Sequence, residues 1–397
     1  MKAYIDTKDS KKLFLLTGIT GFLGSHLAME LAKKGYSIVA LIRSMNGKSG
    51  TDRFRDVCSL AGADNDTVSG IRIMEGDMNL PQLGLGTEQY EELKDSITDI
   101  INCAADTSFT EKRRESVERT NVHGLGNLLE FAVKGSCTFF HQVSTAYVFG
   151  KVSGICKEEL TSPATFTNVY EETKCRAEHT ATDICKNAGI KLNIYRPGIV
   201  CGDSAQGRTF RFNGLYYPVK SVHRLIESFK TDLLSDGKKA HRMGVKMLDG
   251  NRLFLPLSVR IQESSGINII PVDYFVRMFM GIMEGRHQGG IFHIVQKENC
   301  PAESLIEYTK RYFNIEGLET ANSESTEGPV ERIFNLYNEA YLPYLEDQRI
   351  FSSENTRHLR ENAPDDRFTY ERFKLCVDYA VKTGWGKMLE KNSIISG

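Results

Sequence analysis

Tyr170 and Lys174 stand four residues apart in a stretch with helical patterning, and Thr145 precedes Tyr170 by 25 positions at the end of an apolar run. On a helix an i, i+4 pair shares one face, so a phenol and an ammonium would lie side by side. Such an ammonium stabilises the phenolate and lowers the phenol from its usual pKa of about 10, which suits proton transfer near neutral pH. A threonine hydroxyl aimed at the same substrate oxygen completes a two-donor oxyanion site. Taken alone, YxxxK is a common surface pair, so its meaning depends on what else the chain carries in order with it.

Residues 17–24 read Thr17-Gly18-Ile19-Thr20-Gly21-Phe22-Leu23-Gly24, between an apolar run and a helical pattern. In a strand–turn–helix unit, Gly18 permits the tight turn, Gly21 lets the backbone approach a pyrophosphate, and Gly24 lets helix and strand pack closely. The whole turn, with Thr17, Thr20, Phe22 and Leu23, is a candidate dinucleotide site. The next strand ends in Arg43 rather than a carboxylate, with Lys48 and Arg53 following. An acid there would hold the ribose 2′-hydroxyl of NAD, whereas a guanidinium pairs with a 2′-phosphate, so the cofactor expected is NADP. Asp77-Met78 and Cys103-Ala104-Ala105 end two further strands. Their small residues leave room for a flat cofactor, and Asp77 suits the adenine amino group. Thr17, Gly18, Thr20, Gly21, Arg43, Arg53, Asp77, Met78, Cys103, Ala104 and Ala105 are thus cofactor candidates.

The elements that must position these residues follow from periodicity. Residues 13–17, 36–42, 71–75, 99–103, 138–144 and 191–196 read as strands, and residues 25–34, 116–134 and 169–187 as helices. This alternation implies an α/β Rossmann fold with a doubly wound parallel sheet. Past residue 204 the rhythm weakens and basic and aromatic residues increase. A strand returns at 267–271, a helix at 274–284 and a strand at 290–295. The last hundred residues read as helical and polar, with a loop at 323–328. The expectation is an NADP-binding domain of residues 1–205 plus about 267–295, and a smaller, discontinuous, mostly helical substrate domain from the rest.

The 397 residues are ample for both domains, and a formal net charge of −1 gives no field for nucleic acid or an anionic membrane. The 9 cysteines are scattered without CxxC pairs, which predicts reduced, mostly buried thiols in a cytoplasmic protein. Cys103 and Cys201 invite covalent thioester chemistry, but both fall at strand ends and read as packing residues. The histidines lack metal-ligand spacing, so no metal is expected. The apolar run at 13–16 leads directly into the glycine turn and reads as a strand rather than a leader, and no run is long enough to span a membrane.

The ordered segments TGITGFLG, GDM, NCAA, VSTAYVFG, YEETK, YRPGIVCG and IIPVDY resemble the extended short-chain dehydrogenases/reductases. Within that superfamily TGITGFLGSHL, LIRS, CAADTSF and VSTAY look most like thioester reductases and fatty acyl reductases, including terminal reductase domains of nonribosomal peptide synthetases and carboxylic acid reductases. The resemblance covers residues 12–300 and implies Thr145, rather than Ser144, as the catalytic hydroxyl beside Tyr170 and Lys174. It also implies that Tyr170, Lys174 and Asn121 contact the cofactor, Lys174 through the ribose, and that Pro197, Gly198 and Ile199 line a nicotinamide pocket. The implied reaction is NADPH-dependent reduction of an acyl thioester, carried on a phosphopantetheine carrier protein or coenzyme A. The products would be a thiol and an aldehyde, with an alcohol after a second hydride. The glycine motif lies about a dozen residues from the start, so the reading expects neither adenylation and carrier domains before it nor a membrane-anchoring tail after it. A freestanding enzyme acting in trans, or an excised domain, is therefore expected.

A sugar-nucleotide epimerase/dehydratase or a hydroxysteroid-type dehydrogenase shares the Tyr–Lys pair, though Arg43 argues against the tightly held NAD of the epimerases. An NADP-sensing regulator is the non-enzymatic alternative, which the retained Thr145, Tyr170 and Lys174 oppose. The basic and aromatic stretch 208–242 reads either as a docking face for an acidic carrier or phosphate, or as a solvated helix face.

Overall fold

Strand β1, Leu13–Thr17, is apolar on both faces, as a strand covered by helices on each side must be. It is an inner strand of a seven-stranded sheet in a computed structural model that describes residues 12–63, 69–249, 252–285, 289–321, 327–361 and 367–392. Strands β2 (Ser37–Ile42), β3 (Arg72–Glu75), β4 (Asp99–Asn102) and β5 (Phe139–Val143) pair in parallel with it or with one another. Lys191–Pro197 and Gly290–Ile294 extend the sheet beyond β5, also in parallel. Strand order reverses between β1 and β4, and in such sheets ligands bind in the crevice beyond the strand ends at that reversal.

Helix α1, Phe22–Lys33, begins three residues earlier than its apolar pattern suggests, so Phe22, Leu23 and Gly24 form its first turn. Helix α2, Gly50–Ala61, is capped by the Ser49 side chain, which accepts from Asp52 N. The helix expected over 116–134 is interrupted: Arg119–Gly124 adopts π-helical pairing between Arg114–Glu118 and Leu125–Lys134. Such segments are rare and frequently mark functional sites; Asn121 lies buried within this one.

A second core gathers behind the strand Ile199–Cys201, around the helices Tyr216–Leu234, Ala302–Phe313 and Tyr370–Lys382. It contains a sheet that the sequence pattern did not single out. Leu253–Arg260 buries Leu253, Leu255, Leu257 and Val259 on alternate positions and pairs with Ile315–Ala321 and Lys246–Met247. Pro256 argues against a strand in sequence; the register shift between Phe254 and Leu257 is where the sheet accommodates it. The loop expected at 323–328 falls mostly outside the described residues.

Candidate active site

The carboxyl ends of β1, β4 and β5 are joined by a buried polar chain. Thr17 Oγ1 donates to Asn102 Oδ1 (2.6 Å), Asn102 Nδ2 to Gln142 Oε1 (3.0 Å), and Gln142 Nε2 to the Val143 carbonyl (3.1 Å). The chain locks the glycine turn to the segment carrying Thr145. Gly18 has φ +71°, and a Cβ there would lie 2.4 Å from Ala104 N; at Gly24 it would lie 2.3 Å from Gly18 O. The turn therefore tolerates no side chain at either position. Gly18 belongs as much to the contact with the Cys103–Ala104 backbone as to the turn. Helix α1 starts without a side-chain cap or a first-turn acid, leaving its amide dipole directed at the crevice.

A cleft of about 250 Å³ opens there, and Thr17, Gly18, Thr20, Gly21, Arg43, Arg53, Asp77, Met78, Cys103, Ala104 and Ala105 all line it. Lys48 and Arg211 line it as well. Arg53 Nη1 donates to the Arg43 carbonyl at 2.5 Å, and Arg43 Nη1 lies 3.9 Å from Asp77 Oδ2. Lys48 is neutralised by Asp56 at 2.5 Å. Burial, then the charges of Arg43 and Arg211, lower the Arg53 pKa, so positive charge is crowded here beyond what nearby acids balance. Glu75 approaches the end of β2, but its carboxylate is occupied by the Ser44 hydroxyl (2.6 Å) and the Gly50 amide (2.8 Å). This donor set suits a dinucleotide bearing an additional phosphate.

Phe22, Leu23, Gly24, Asn121, Tyr170, Lys174, Pro197, Gly198 and Ile199 do not line that cleft. Asn121 is buried: it donates to the Asp106 carbonyl and to Thr173 Oγ1, each at 3.0 Å, and accepts from Asp106 N at 2.8 Å. It therefore braces the helix of Tyr170 and Lys174. Gly198 and Ile199 are pinned from the side, with Ile199 N donating to the Asn268 carbonyl at 2.8 Å.

The helix Val169–Ala188 is capped by Asn168, whose side chain accepts from Glu171 N, so Tyr170 lies in the first turn and Lys174 one turn further. Lys174 is buried and donates from Nζ to the Val143 carbonyl at 2.6 Å. Burial lowers its pKa to about 8, against the opposing influence of Glu178 and Cys103. Burial and Glu171 push the Tyr170 phenol up. The expected depression of the phenol by its lysine neighbour is thus not what the structure holds, because the ammonium is committed to a backbone carbonyl. The adjacent hydroxyls have separate tasks. Ser144 Oγ donates to Glu178 Oε1 at 2.5 Å, inside a buried pair with Arg196. Thr145 Oγ1 accepts from Tyr147 N at 3.2 Å, which orients the oxygen and leaves its proton to donate elsewhere. Burial raises Cys103 to about 12, a poor nucleophile. All 9 cysteines are free thiols, 8 of them buried. No cluster that could hold a metal occurs among the described residues.

Sequence reasoning missed the residues that enclose this centre from the C-terminal part of the chain. Phe109 lies against Tyr170 (ring centroids 6.0 Å), Tyr341 (5.3 Å) and Tyr344 (5.7 Å), and Tyr341 stacks on Tyr217 at 4.6 Å. Tyr344 OH donates to Glu171 Oε1 and accepts from Asn168 Nδ2, both at 2.8 Å. The buried Arg349 pairs with Asp347 (Nη2 to Oδ2, 2.7 Å), donates to the Gly150 carbonyl (3.0 Å), and lies 3.6 Å from Glu171. One arginine therefore joins the turn after Thr145 to the start of the Tyr170 helix. The aromatic density of 341–351 was the only local signal of such a role.

The family profile described as "Male sterility protein", an NAD-binding family, matches residues 16–279. Nonribosomal peptide synthetase asaC of Aspergillus flavus is 29% identical over 213 residues, 50% of this chain and 20% of that protein. Fatty acyl-CoA reductase wat of Drosophila melanogaster is 27% identical over 244 residues, 51% of this chain and 46% of that protein. The chain thus spans less than half the length of these curated relatives. In fold it is similar to the crystal structure of the terminal R domain from the myxalamid PKS-NRPS biosynthetic pathway. That likeness has a TM-score of 0.73 and 20% identity, over 96% of this chain and 93% of that one. No helix among the described residues is long and apolar enough to cross a membrane.

Proposed function

Since the chain belongs to the NAD-binding Male sterility protein family, we propose that it is an NADPH-dependent reductase of acyl thioesters. The observation that carries this reading is that the matched residues 16–279 contain the glycine turn, Arg43, Thr145, Tyr170 and Lys174 together. The cleft of Arg43 and Arg53 supports a cofactor with a 2′-phosphate. The names of the peptide synthetase and fatty acyl-CoA reductase relatives support an acyl group delivered on a phosphopantetheine arm, of a carrier protein or of coenzyme A. Residues 1–205 with about 267–295 would bind the dinucleotide, and the remainder would bind the acyl group and its arm.

When bound, the dinucleotide supplies a hydride. The residues of this chain manage the oxygen and the protons. Thr145 Oγ1, held by the Tyr147 amide, donates to the carbonyl oxygen as that oxygen gains negative charge. Tyr170 donates to the same oxygen from the first turn of its helix, and burial keeps its phenol protonated until charge develops. Lys174 fixes the Val143 backbone and thereby the approach of Thr145, and its remaining donors would hold the ribose of a bound dinucleotide. Collapse of the tetrahedral adduct breaks the carbon–sulfur bond; the thiolate takes a proton and leaves as thiol, and the aldehyde remains. A second hydride and proton would give the alcohol.

The purified chain with NADPH and an acyl-pantetheine thioester is expected to oxidise the cofactor and liberate free thiol in parallel. Consumption of NADPH with simple ketones, but with no thioester of any acyl chain, would sink the proposal.

A further inference from the structure

Arg211 reaches the dinucleotide cleft from a segment that does not belong to the glycine-turn unit. Downstream of the strand Ile199–Cys201, the Asp203 carboxylate accepts from Ala205 N (3.0 Å), Gln206 N (2.7 Å) and Arg208 N (3.0 Å). Ser204 is fixed to Asp273 through its amide (2.8 Å) and hydroxyl (2.6 Å). The stapled segment then packs against the start of α1 and the end of α2. The Arg208 guanidinium lies against Gly62 at the end of α2, where a Cβ would come within 1.8 Å of Nη1. Phe210 packs edge-on against Phe22 in the first turn of α1, with centroids 5.3 Å apart. The buried Thr209 hydroxyl accepts from Arg211 N (3.1 Å) and donates to Arg211 O (2.9 Å), fixing the Arg211 backbone.

So anchored, Arg211 lines the same cleft as Arg43 and Arg53. Among the described residues its guanidinium has no acidic or hydrogen-bonding partner, which distinguishes it from Lys48, neutralised by Asp56. The charges of Arg43 and Arg211 both bear on Arg53, and an anion held among the three guanidinium groups relieves that repulsion. Guanidinium and phosphate oxygens are matched in charge and geometry.

We propose that Arg211 is a third ligand of the 2′-phosphate of the dinucleotide, contributed from the segment 203–213, and is a determinant of NADP over NAD. The inference rests on the NADPH reading above. It also gives that reading a structural consequence: the phosphate would be held by residues of two separate segments, Arg43 and Arg53 after β2 and Arg211 from 203–213.

Binding of NADPH, NADH and 2′,5′-ADP, followed by calorimetry or by fluorescence of the reduced nicotinamide, separates the possibilities without turnover. Wild-type protein should bind NADPH more tightly than NADH. Arg211→Ala should weaken NADPH and 2′,5′-ADP by roughly tenfold or more, while NADH changes by less than about twofold. The unchanged NADH affinity also shows that the variant is folded. Arg211→Lys should fall between, keeping the charge but losing the fork of donors. An Arg211→Ala variant that binds NADPH like wild type, or that loses NADH and NADPH equally, overturns the proposal. Wild-type protein that binds both cofactors alike would fail the NADPH reading itself, and the Arg211 assignment with it.

Discussion

Replacing Arg349 by methionine removes a buried charge while keeping much of the side-chain volume. Asp347 would lose three close donor contacts, from Nε at 2.9 and 3.0 Å and from Nη2 at 2.7 Å. Glu171 would lose its cation at 3.6 Å, and the Tyr147 and Gly150 carbonyls would lose donors at 3.4 and 3.0 Å. Breaking a buried ion pair by deleting one partner costs about 3–5 kcal/mol, chiefly because the other charge stays behind. A loss of about 4 kcal/mol is therefore expected in urea unfolding at neutral pH. Since Arg349 joins the turn after Thr145 to the start of the Tyr170 helix, kcat should fall while KM for the dinucleotide stays near wild type. Adding Asp347→Asn to the variant removes the stranded charge and should restore about 2 kcal/mol. A single variant that loses under about 1 kcal/mol and keeps its kcat would refute the bracing role.

Thr145→Val should lower kcat on the order of a hundredfold, as loss of one oxyanion donor does. Ser144→Ala should keep most turnover but lose about 1–3 kcal/mol of stability by leaving Glu178 short of a donor; the reverse ranking would reassign the catalytic hydroxyl. Lys174 has a folded pKa of about 8, against 10.5 in the unfolded chain. Between those values the unfolded chain binds more protons, so this group raises stability with pH across that window, by up to about 3 kcal/mol in all. Urea unfolding of Lys174→Met from pH 8 to 10.5 should lack that rise, and an identical pH dependence in both proteins would contradict the burial of a charged lysine. Gly18→Ala places a Cβ 2.4 Å from Ala104 N at φ +71°, and should weaken dinucleotide binding at least tenfold; wild-type affinity would mean that the turn yields.

Much of this arrangement was legible because its signals are local. Glycines at fixed spacing after an apolar strand, an arginine at the end of the next strand, and a hydroxyl at the end of β5 each obey a short-range rule of parallel α/β sheets. What escaped depends on chain crossings that carry no periodicity. Arg211 belonged to a basic stretch read as a docking or solvated face, and only the course of 203–213 across α1 and α2 brings it to Arg43 and Arg53. The link from Arg349 to Glu171 spans distant segments with nothing in either to announce the other. Helical spacing placed Lys174 beside Tyr170 on one face, yet a flexible four-carbon stem does not fix where its ammonium ends, and the Val143 carbonyl takes it. The sequence associates Asn121 with the cofactor; its contacts to Asp106 and Thr173, from within a π-helical turn, depend on chain segments that no local pattern connects.

The fate of the hydride tests the central claim most directly. NADPH deuterated at the transferring position of its nicotinamide is incubated with an acyl-pantetheine thioester and the enzyme, and products are analysed by mass spectrometry alongside free thiol. Deuterium is expected on the former carbonyl carbon of an aldehyde or alcohol, in step with thiol release. Thiol released with an unlabelled carboxylic acid, or cofactor oxidised without thiol, would contradict it.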